Sequence, residues 1–393
     1  MKNLNKFPVI AIVKPTKRCN LYCSFCYESH ETFVMNTETL EHVNKKVIEY
    51  NVKVSIENSF DLSISDFIWH GGEPLSMGID FFKKIIELQN HYTTSFKDHV
   101  IRNEIQSNLT LLTPELWGFL KENKFKIGSS LDGNKELHDS TRRHKDGSGS
   151  FDKVMEAIHT MKNDPASPSP VGCIAVLTRN KLDKINEMYN FFKRNKISFE
   201  LNYPAIAGNA KTNRDSIEVT PEEWAACMVE LFDLWFFDKS EPFIEIPSLA
   251  KYAAGILMGK MNSCTFSGTC RNRYIAINPN GDVHPCGKFG SGEGFKLGNI
   301  KTHSIDEIME SEVNKYLLRR NVNDIKECSV CEFKEMCKGG CFYNAYLATG
   351  SPFEKDSMCS GYKIIFRHIK KILEEELGDT TNSTSRKHNC ITT

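Results

Sequence analysis

Between Val9 and about Tyr203, short apolar runs alternate with longer stretches in which apolar residues recur every three or four positions. Short runs rich in β-branched and aromatic residues read as strands, and the 3.6-residue recurrence reads as amphipathic helix. The pattern predicts strands over 9–13, 62–69, 101–107, 125–131, 171–177 and 198–203, and helices over 37–50, 79–91, 114–123, 151–162 and 182–195. Start signals agree: Thr37 stands before Glu38 and Leu40, Thr113 before Pro114, and Thr220-Pro221-Glu222-Glu223 repeats the device. Strands alternating with helices argue for βα units and a parallel sheet. Six of them suit an α/β fold, a partial (β/α)6 barrel of the TIM type, whose active site lies at the carboxyl ends of its strands.

Beyond Tyr203 the rhythm changes. Residues 204–219, rich in Ala, Gly, Asn and Lys, read as a loop overhanging that face. Residues 221–237 form a helix whose apolar face (Trp224, Leu231, Phe232, Leu234, Trp235, Phe236) belongs to a core. Residues 274–283 read as a hairpin turning at Asn280-Gly281. After Tyr362 an amphipathic helix runs to about Leu377, and the polar tail from Gly378 to Thr393 is expected to be disordered. Four regions are therefore expected: a barrel at 1–203, linking loop and helices at 204–263, a cysteine-rich domain at 264–365, and a terminal helix and tail at 366–393.

Composition changes the picture in one respect. Hydrophobic residues make up 40% of the 393 and charged residues 25%, which is ordinary for a globular chain with a sizeable core. Lys plus Arg equals Asp plus Glu at 50 each, so charge leaves no footprint for nucleic acid or an anionic membrane. No apolar run reaches the roughly 18 residues that span a bilayer, and the N-terminal stretch lacks a signal-peptide core. A cytoplasmic location is expected, and there 14 cysteines do not form a disulfide framework. Their clustering favours metal: three lie in 19–26 and eight in 264–359, with only Cys173, Cys227 and Cys390 outside.

Cys19, Cys23 and Cys26 form a C-x3-C-x2-C array directly after the first strand. Three thiolates on a strand-exit loop can hold three irons of a four-iron cluster and leave the fourth open to a small molecule. A zinc knuckle completed by His30, or simple packing, are the plainer alternatives. The second strand runs into Gly71-Gly72-Glu73-Pro74, a sharp turn that lets backbone approach a ligand. Eight later cysteines (Cys264, Cys270, Cys286, Cys328, Cys331, Cys337, Cys341 and Cys359) make two full four-thiolate sites. Spacing alone does not separate iron clusters from zinc there.

Taken together, these motifs resemble the radical S-adenosylmethionine (SAM) enzymes that carry a C-terminal SPASM extension. The resemblance implies three 4Fe–4S clusters and SAM as cofactors. The cluster on Cys19, Cys23 and Cys26 would bind SAM and cleave it to a 5′-deoxyadenosyl radical. Of the auxiliary clusters, one would sit on Cys264, Cys270, Cys286 and Cys341 and the other on Cys328, Cys331, Cys337 and Cys359. By the same resemblance Phe25 and Leu177 would lie near the adenine, and Gly71, Gly72 and Glu73 near the SAM amino group. Ser107, Asn108, Ser130 and Asp132 end the third and fourth strands in motifs similar to the family's; Ser130 would meet the ribose and Arg142 the SAM carboxylate.

Relatives of this kind modify peptides. Those that make formylglycine carry an Asp directly after the cysteine matching Cys286, as a base; here that position is Gly287, which cannot accept a proton. On that ground the expected activity is a maturase that crosslinks side chains of a ribosomally made precursor peptide, as a C–C cyclophane or a thioether. The alternatives are a formylglycine-forming sulfatase-maturating enzyme and a non-enzymatic, zinc-stapled binding module. A reductant such as flavodoxin or ferredoxin is an expected partner. The barrel begins too near the N-terminus for a preceding peptide-recognition domain, and no base is named.

Overall fold

The computed structural model describes residues 6–29, 31–96, 98–261, 263–289 and 294–388, with side chains to residue 376 in the last helix. All six predicted strands form: β1 (Ile10–Thr16), β2 (Ser63–Gly71), β3 (His99–Ser107), β4 (Lys126–Ser130), β5 (Gly172–Val176) and β6 (Ser198–Asn202). They pair in chain order, each parallel to the next. The sheet does not close on itself. The free side of β1 instead takes β7 (Tyr274–Ile277) in parallel, followed by antiparallel β8 (Asp282–His284) and β9 (Gly298–Asn299). The hairpin read from Asn280-Gly281 is thus the last part of the barrel wall.

Strand alternation decides which side chains line the inside. On β2, Ser65, Phe67 and Trp69 are fully buried, whereas Asp66, Ile68 and His70 keep only a minor part of their surface exposed. Trp69 stacks on Phe67 at 5.9 Å and meets the edge of Phe81, from the helix Ile79–Thr93, at 6.0 Å. Phe67 and Trp69 therefore face the outer helices, and their burial contributes about 1.5–3 kcal/mol per large side chain. Asp66, Ile68 and His70 face inward. Register passes this face along: Ile12 stands opposite Ile68 and Ala276, and Ala276 opposite His284.

The predicted barrel helices form as Thr37–Glu57, Ile79–Thr93, Pro114–Glu122 and Phe151–Asn163. The first is capped by Asn36, whose side chain accepts from Thr39 N, rather than by Thr37. Thr113 caps Leu116 N ahead of Pro114 as expected.

Two compact units emerge, and they cut the chain differently from the four expected regions. One holds residues up to 180 with 197–218 and 269–320; the other holds 181–196, 219–268 and 321 onward. The second unit contains the helices Ile185–Arg194, Pro221–Phe237, Pro247–Met258 and Cys359–His388. Its core is aromatic: Phe266 meets Tyr362 at 4.9 Å and Phe366 at 5.6 Å, and Tyr252 meets Phe366 at 5.5 Å. The last helix continues to His388, past the end expected at Leu377, so residues 378–388 are helical rather than disordered. Extending a formed helix adds a hydrogen bond per residue without a new nucleation cost. Cys390 lies outside the described residues.

Candidate active site

The three-cysteine loop is sewn in on both sides. Tyr22 N donates to Arg143 O at 2.6 Å and Ser24 N to Thr141 O at 3.0 Å. From the other side Ala210 N donates to Cys26 O at 2.9 Å, and Asn213 Nδ2 to Ser24 O at 3.0 Å. Residues 204–219, expected as a loop, contain a 3-10 turn (Gly208–Asn213) and a short helix (Arg214–Ile217). Ala210 and Ile217 close over Phe25, so this segment packs on the cysteine loop.

Burial pushes the thiols of Cys19 and Cys26 up to about 12, with Glu73 adding to the first and Cys23 to the second. Thiolates there require a strong cationic centre, which an iron cluster supplies. A single zinc would need its ligands converging at about 2.3 Å. Among the described residues no three His, Cys, Asp or Glu side chains are placed to grip one ion. His30 lies outside them.

Beside the loop, Gly71 adopts φ +111°, and a Cβ on Gly72 would stand 2.1 Å from the Arg18 carbonyl oxygen. Only glycines let the β2 exit lie against the Lys17–Arg18 backbone. Glu73 is buried and spends its carboxylate on bracing. Oε1 accepts from Leu75 N at 2.9 Å and Ser107 Oγ at 2.7 Å, and Oε2 accepts from Asn108 N at 2.8 Å. Burial pushes its pKa up to about 7 against those three hydrogen bonds. A cationic ammonium arriving nearby would favour the ionised form. Asn108 in turn donates to Asn20 Oδ1 at 3.0 Å and reaches Cys19 Sγ at 3.8 Å.

Asp132, fully buried, accepts from Val176 N at 2.9 Å, Thr141 Oγ1 at 3.2 Å and Arg142 Nη2 at 3.0 Å. Burial opposes the Arg142 charge, but Asp132 with Cys23 and Cys26 outweighs it and raises the pKa. The guanidinium lies 4.8 Å over the Phe25 ring, and its buried Nε has no partner. A guanidinium held in place with a free N–H suits a carboxylate, which is the fit SAM requires. Ser130 Oγ accepts from Gln106 Nε2 at 3.4 Å on the inner face. Leu177, fully buried, donates its N–H to Asn202 O at 2.8 Å.

A second polar group lies on the same inner face and escaped the sequence reading. Lys14, at 1% exposure, is ion-paired to Glu28 at 2%. The Lys14 ammonium is 5.8 Å from the Tyr27 ring, which meets the His70 ring at 6.4 Å. Burial and the Lys14 charge depress His70 to about 4, and the same two causes bring His284 to about 4. Gly71 N donates to His70 Nδ1 at 2.6 Å, so the neutral ring carries its proton on Nε2. The only sequence signal was a lysine ending an apolar strand.

In the second unit, Cys328, Cys331, Cys337 and Cys359 line one small pocket with Phe333, Tyr362 and Phe366. Burial pushes Cys337 up to about 12, and Asp356, Cys359 and Cys328 add to it. Four thiols around one enclosed space fit the full ligand set expected for the second auxiliary cluster. Of the other expected set, Cys270 and Cys286 belong to the first unit and Cys264 and Cys341 to the second, so that set rests on its sequence pattern.

An open partial barrel with a three-cysteine loop, a Gly-Gly turn and a buried Arg defines a SAM-dependent radical enzyme. Residues 13–192 match the model of the radical SAM superfamily, and residues 264–332 that of the SPASM iron–sulfur cluster-binding domain. The chain belongs to the radical SAM enzymes with a SPASM domain, which use 4Fe–4S clusters and SAM. It is 30% identical to a cysteine-type anaerobic sulfatase-maturating enzyme of Clostridium perfringens strain 13, over 92% of this chain and 96% of that one. It is also 30% identical to a serine-type anaerobic sulfatase-maturating enzyme of Bacteroides thetaiotaomicron, over 93% and 91%. The solved structure "Native anSMEcpe with bound AdoMet and Cp18Cys peptide" superposes with a TM-score of 0.79 at 28% identity, covering 95% of this chain and all of that one. Streptococcus suis SuiB bound to precursor peptide SuiA shares the fold at 18% identity, with a TM-score of 0.61 over 90% and 76%.

These similarities overturn the crosslinking maturase expected above. That expectation rested on Gly287 alone, whereas similarity to sulfatase-maturating enzymes runs through nearly the whole chain.

Proposed function

We propose that this protein oxidises a cysteine or serine side chain of a peptide or unfolded sulfatase to formylglycine, as a sulfatase-maturating enzyme. The observation that carries the reading is the end-to-end similarity to both cysteine-type and serine-type enzymes. When bound, SAM and the reduced cluster on Cys19, Cys23 and Cys26 supply a carbon radical that takes a hydrogen atom from the substrate β-carbon. The chain's own residues set up that encounter. Carbonyls at Gly71 and Gly72 would receive the SAM ammonium, Arg142 would take its carboxylate, Ser130 would meet the ribose, and Phe25 and Leu177 would wall the adenine. Glu73 holds the β2 and β3 exits together through Leu75, Ser107 and Asn108. The two auxiliary cysteine sets would hold clusters able to accept the electron that the substrate radical must lose, and a flavodoxin or ferredoxin partner would supply the electron that reduces the cluster on Cys19, Cys23 and Cys26. The setting is cytoplasmic, with no nucleic acid or membrane partner; among the described residues no helix is long and apolar enough to cross a bilayer.

The test is anaerobic incubation of the iron-reconstituted protein with SAM, dithionite and two sulfatase active-site peptides, one with Cys and one with Ser at the modified position. An aldehyde trapped by a hydrazine on either peptide, matched by 5′-deoxyadenosine, is the expected result. Deoxyadenosine without aldehyde on both peptides overturns the assignment.

A further inference from the structure

Position 287 carries no side chain, yet the wall it belongs to is not bare. A Cβ on Gly287 would stand 3.3 Å from the Ile12 side chain, and Ile12 is an inner-face residue of β1. Two positions along β1 comes Lys14, paired with Glu28. Glu28 engages Lys14 through Oε1 only; Oε2 is buried and has no hydrogen-bond partner. Neighbouring strands repeat the deficit. Asn278 Oδ1 and His284 Nδ1 are buried without partners, at residue exposures of 6% and 7%. His284 shares the inner face with Ile12 through Ala276, and Asn278, just past the end of β7, donates its N–H to Asp282 O at 2.9 Å. His70 offers a donor at Nε2, its Nδ1 being taken by Gly71 N.

Buried polar atoms left unpaired cost free energy and are rare in folded proteins. Several of them on one wall, around a buried ion pair at the active-site end of the strands, describe a site waiting for a polar ligand. Its inventory is acceptors at Glu28 and Asn278 and a donor at His70. A peptide segment, with N–H and side-chain donors and carbonyl acceptors, complements that set.

We propose that Glu28, fixed by Lys14, is the substrate-positioning residue of this enzyme: its free carboxylate oxygen accepts a hydrogen bond from the peptide residue to be oxidised. The pair thereby supplies from β1 and the cysteine loop a contact that Gly287 cannot make. This inference rests on the proposed peptide oxidation, and its test separates the two.

Replacing Glu28 alone leaves an uncompensated lysine in the interior, so the informative protein is the double variant Lys14→Met/Glu28→Gln, neutral and similar in volume, beside Glu28→Gln. Each is prepared as the iron-reconstituted full chain, with iron content as the control for intact clusters. Binding of a fluorescent sulfatase-site peptide is read by anisotropy under SAM without reductant, and turnover by 5′-deoxyadenosine formed per aldehyde. Peptide affinity is expected to fall at least about tenfold, as for a lost charged hydrogen bond. The deoxyadenosine-to-aldehyde ratio is expected to rise, a mispositioning signature that a merely structural change would not produce at full iron content. Unchanged affinity and ratio in the double variant overturn the role of Glu28. Wild-type protein that binds the peptide in a Glu28-dependent way yet makes no aldehyde overturns the proposed oxidation and upholds the site. Wild-type protein that binds neither the Cys nor the Ser peptide overturns both.

Discussion

The cysteine loop at 19–26 and the cysteine cavity at 328–359 use the same ligand type for opposite ends. The first offers three thiols from one short loop, braced by 141–143 on one side and 208–213 on the other. Its surroundings hold unspent polar atoms: Arg142 Nε, Glu28 Oε2 and His284 Nδ1. The second offers four thiols within a cavity walled by Phe333, Tyr362 and Phe366. A three-ligand site with open polar groups is built to receive molecules. A four-thiol pocket behind aromatic rings has the ligand set that the proposed electron-carrying cluster needs.

The contrast breaks most visibly if the wrong set of cysteines is removed without consequence. Changing Cys19, Cys23 and Cys26 to Ala is expected to abolish 5′-deoxyadenosine formation and lower iron from about twelve to about eight per chain. Chromatography and iron analysis check both. Cys331→Ala is expected to cost about four irons as well, and to lower the thermal midpoint of the second unit, since ligand binding there contributes to folding. Full iron in that variant would mean the cavity is not a cluster site.

Smaller changes sharpen the picture. Glu28→Gln, which strands a buried ammonium, is expected to cost about 3–5 kcal/mol in anaerobic urea unfolding, with most of it recovered in the double variant with Lys14→Met. The surface pair Arg367–Glu332, both partners about half-exposed, is the control: Arg367→Ala is expected to cost no more than about 1 kcal/mol.

A pH effect falls between these. His70 has a folded pKa of about 4, below the 6.5 of the unfolded chain. The unfolded state therefore takes up the proton first, and the His70 contribution is full above 6.5 and lost as pH falls toward 4. His70→Gln is expected to flatten the unfolding midpoint over that window, and an unchanged slope would place the sensitivity elsewhere.

The cysteine motifs stood out in the sequence because metal ligation constrains residue type and spacing together, and the structure brings Cys328, Cys331, Cys337 and Cys359 around one pocket. The barrel strands were legible from their regular alternation with helix-periodic stretches, even where, as in β3 (His99–Ser107) and β4 (Lys126–Ser130), the segment itself is largely polar. The pairing of β7 with β1 was not, since Tyr274-Ile275-Ala276-Ile277 names no neighbour and its register is set only on assembly. The Lys14–Glu28 pair was hidden for the same reason: the folded path of the cysteine loop brings together residues whose sequence shows only separate charges. The reading of Gly287 failed because it weighed one position without a side chain above a similarity that runs through nearly the whole chain.

The seat of β7 against β1 also bears on synthesis. During translation β1 emerges well before β7, so one of its edges has no neighbour until residues 274–277 leave the ribosome. Through that interval the strand carrying Lys14 and leading into Cys19 presents unpaired N–H and carbonyl groups, a template for foreign strands. Long-range parallel pairing is slow to form as well. A chain stopped after β6 would keep that edge for good, and its expected fate is aggregation with the cysteine loop unassembled.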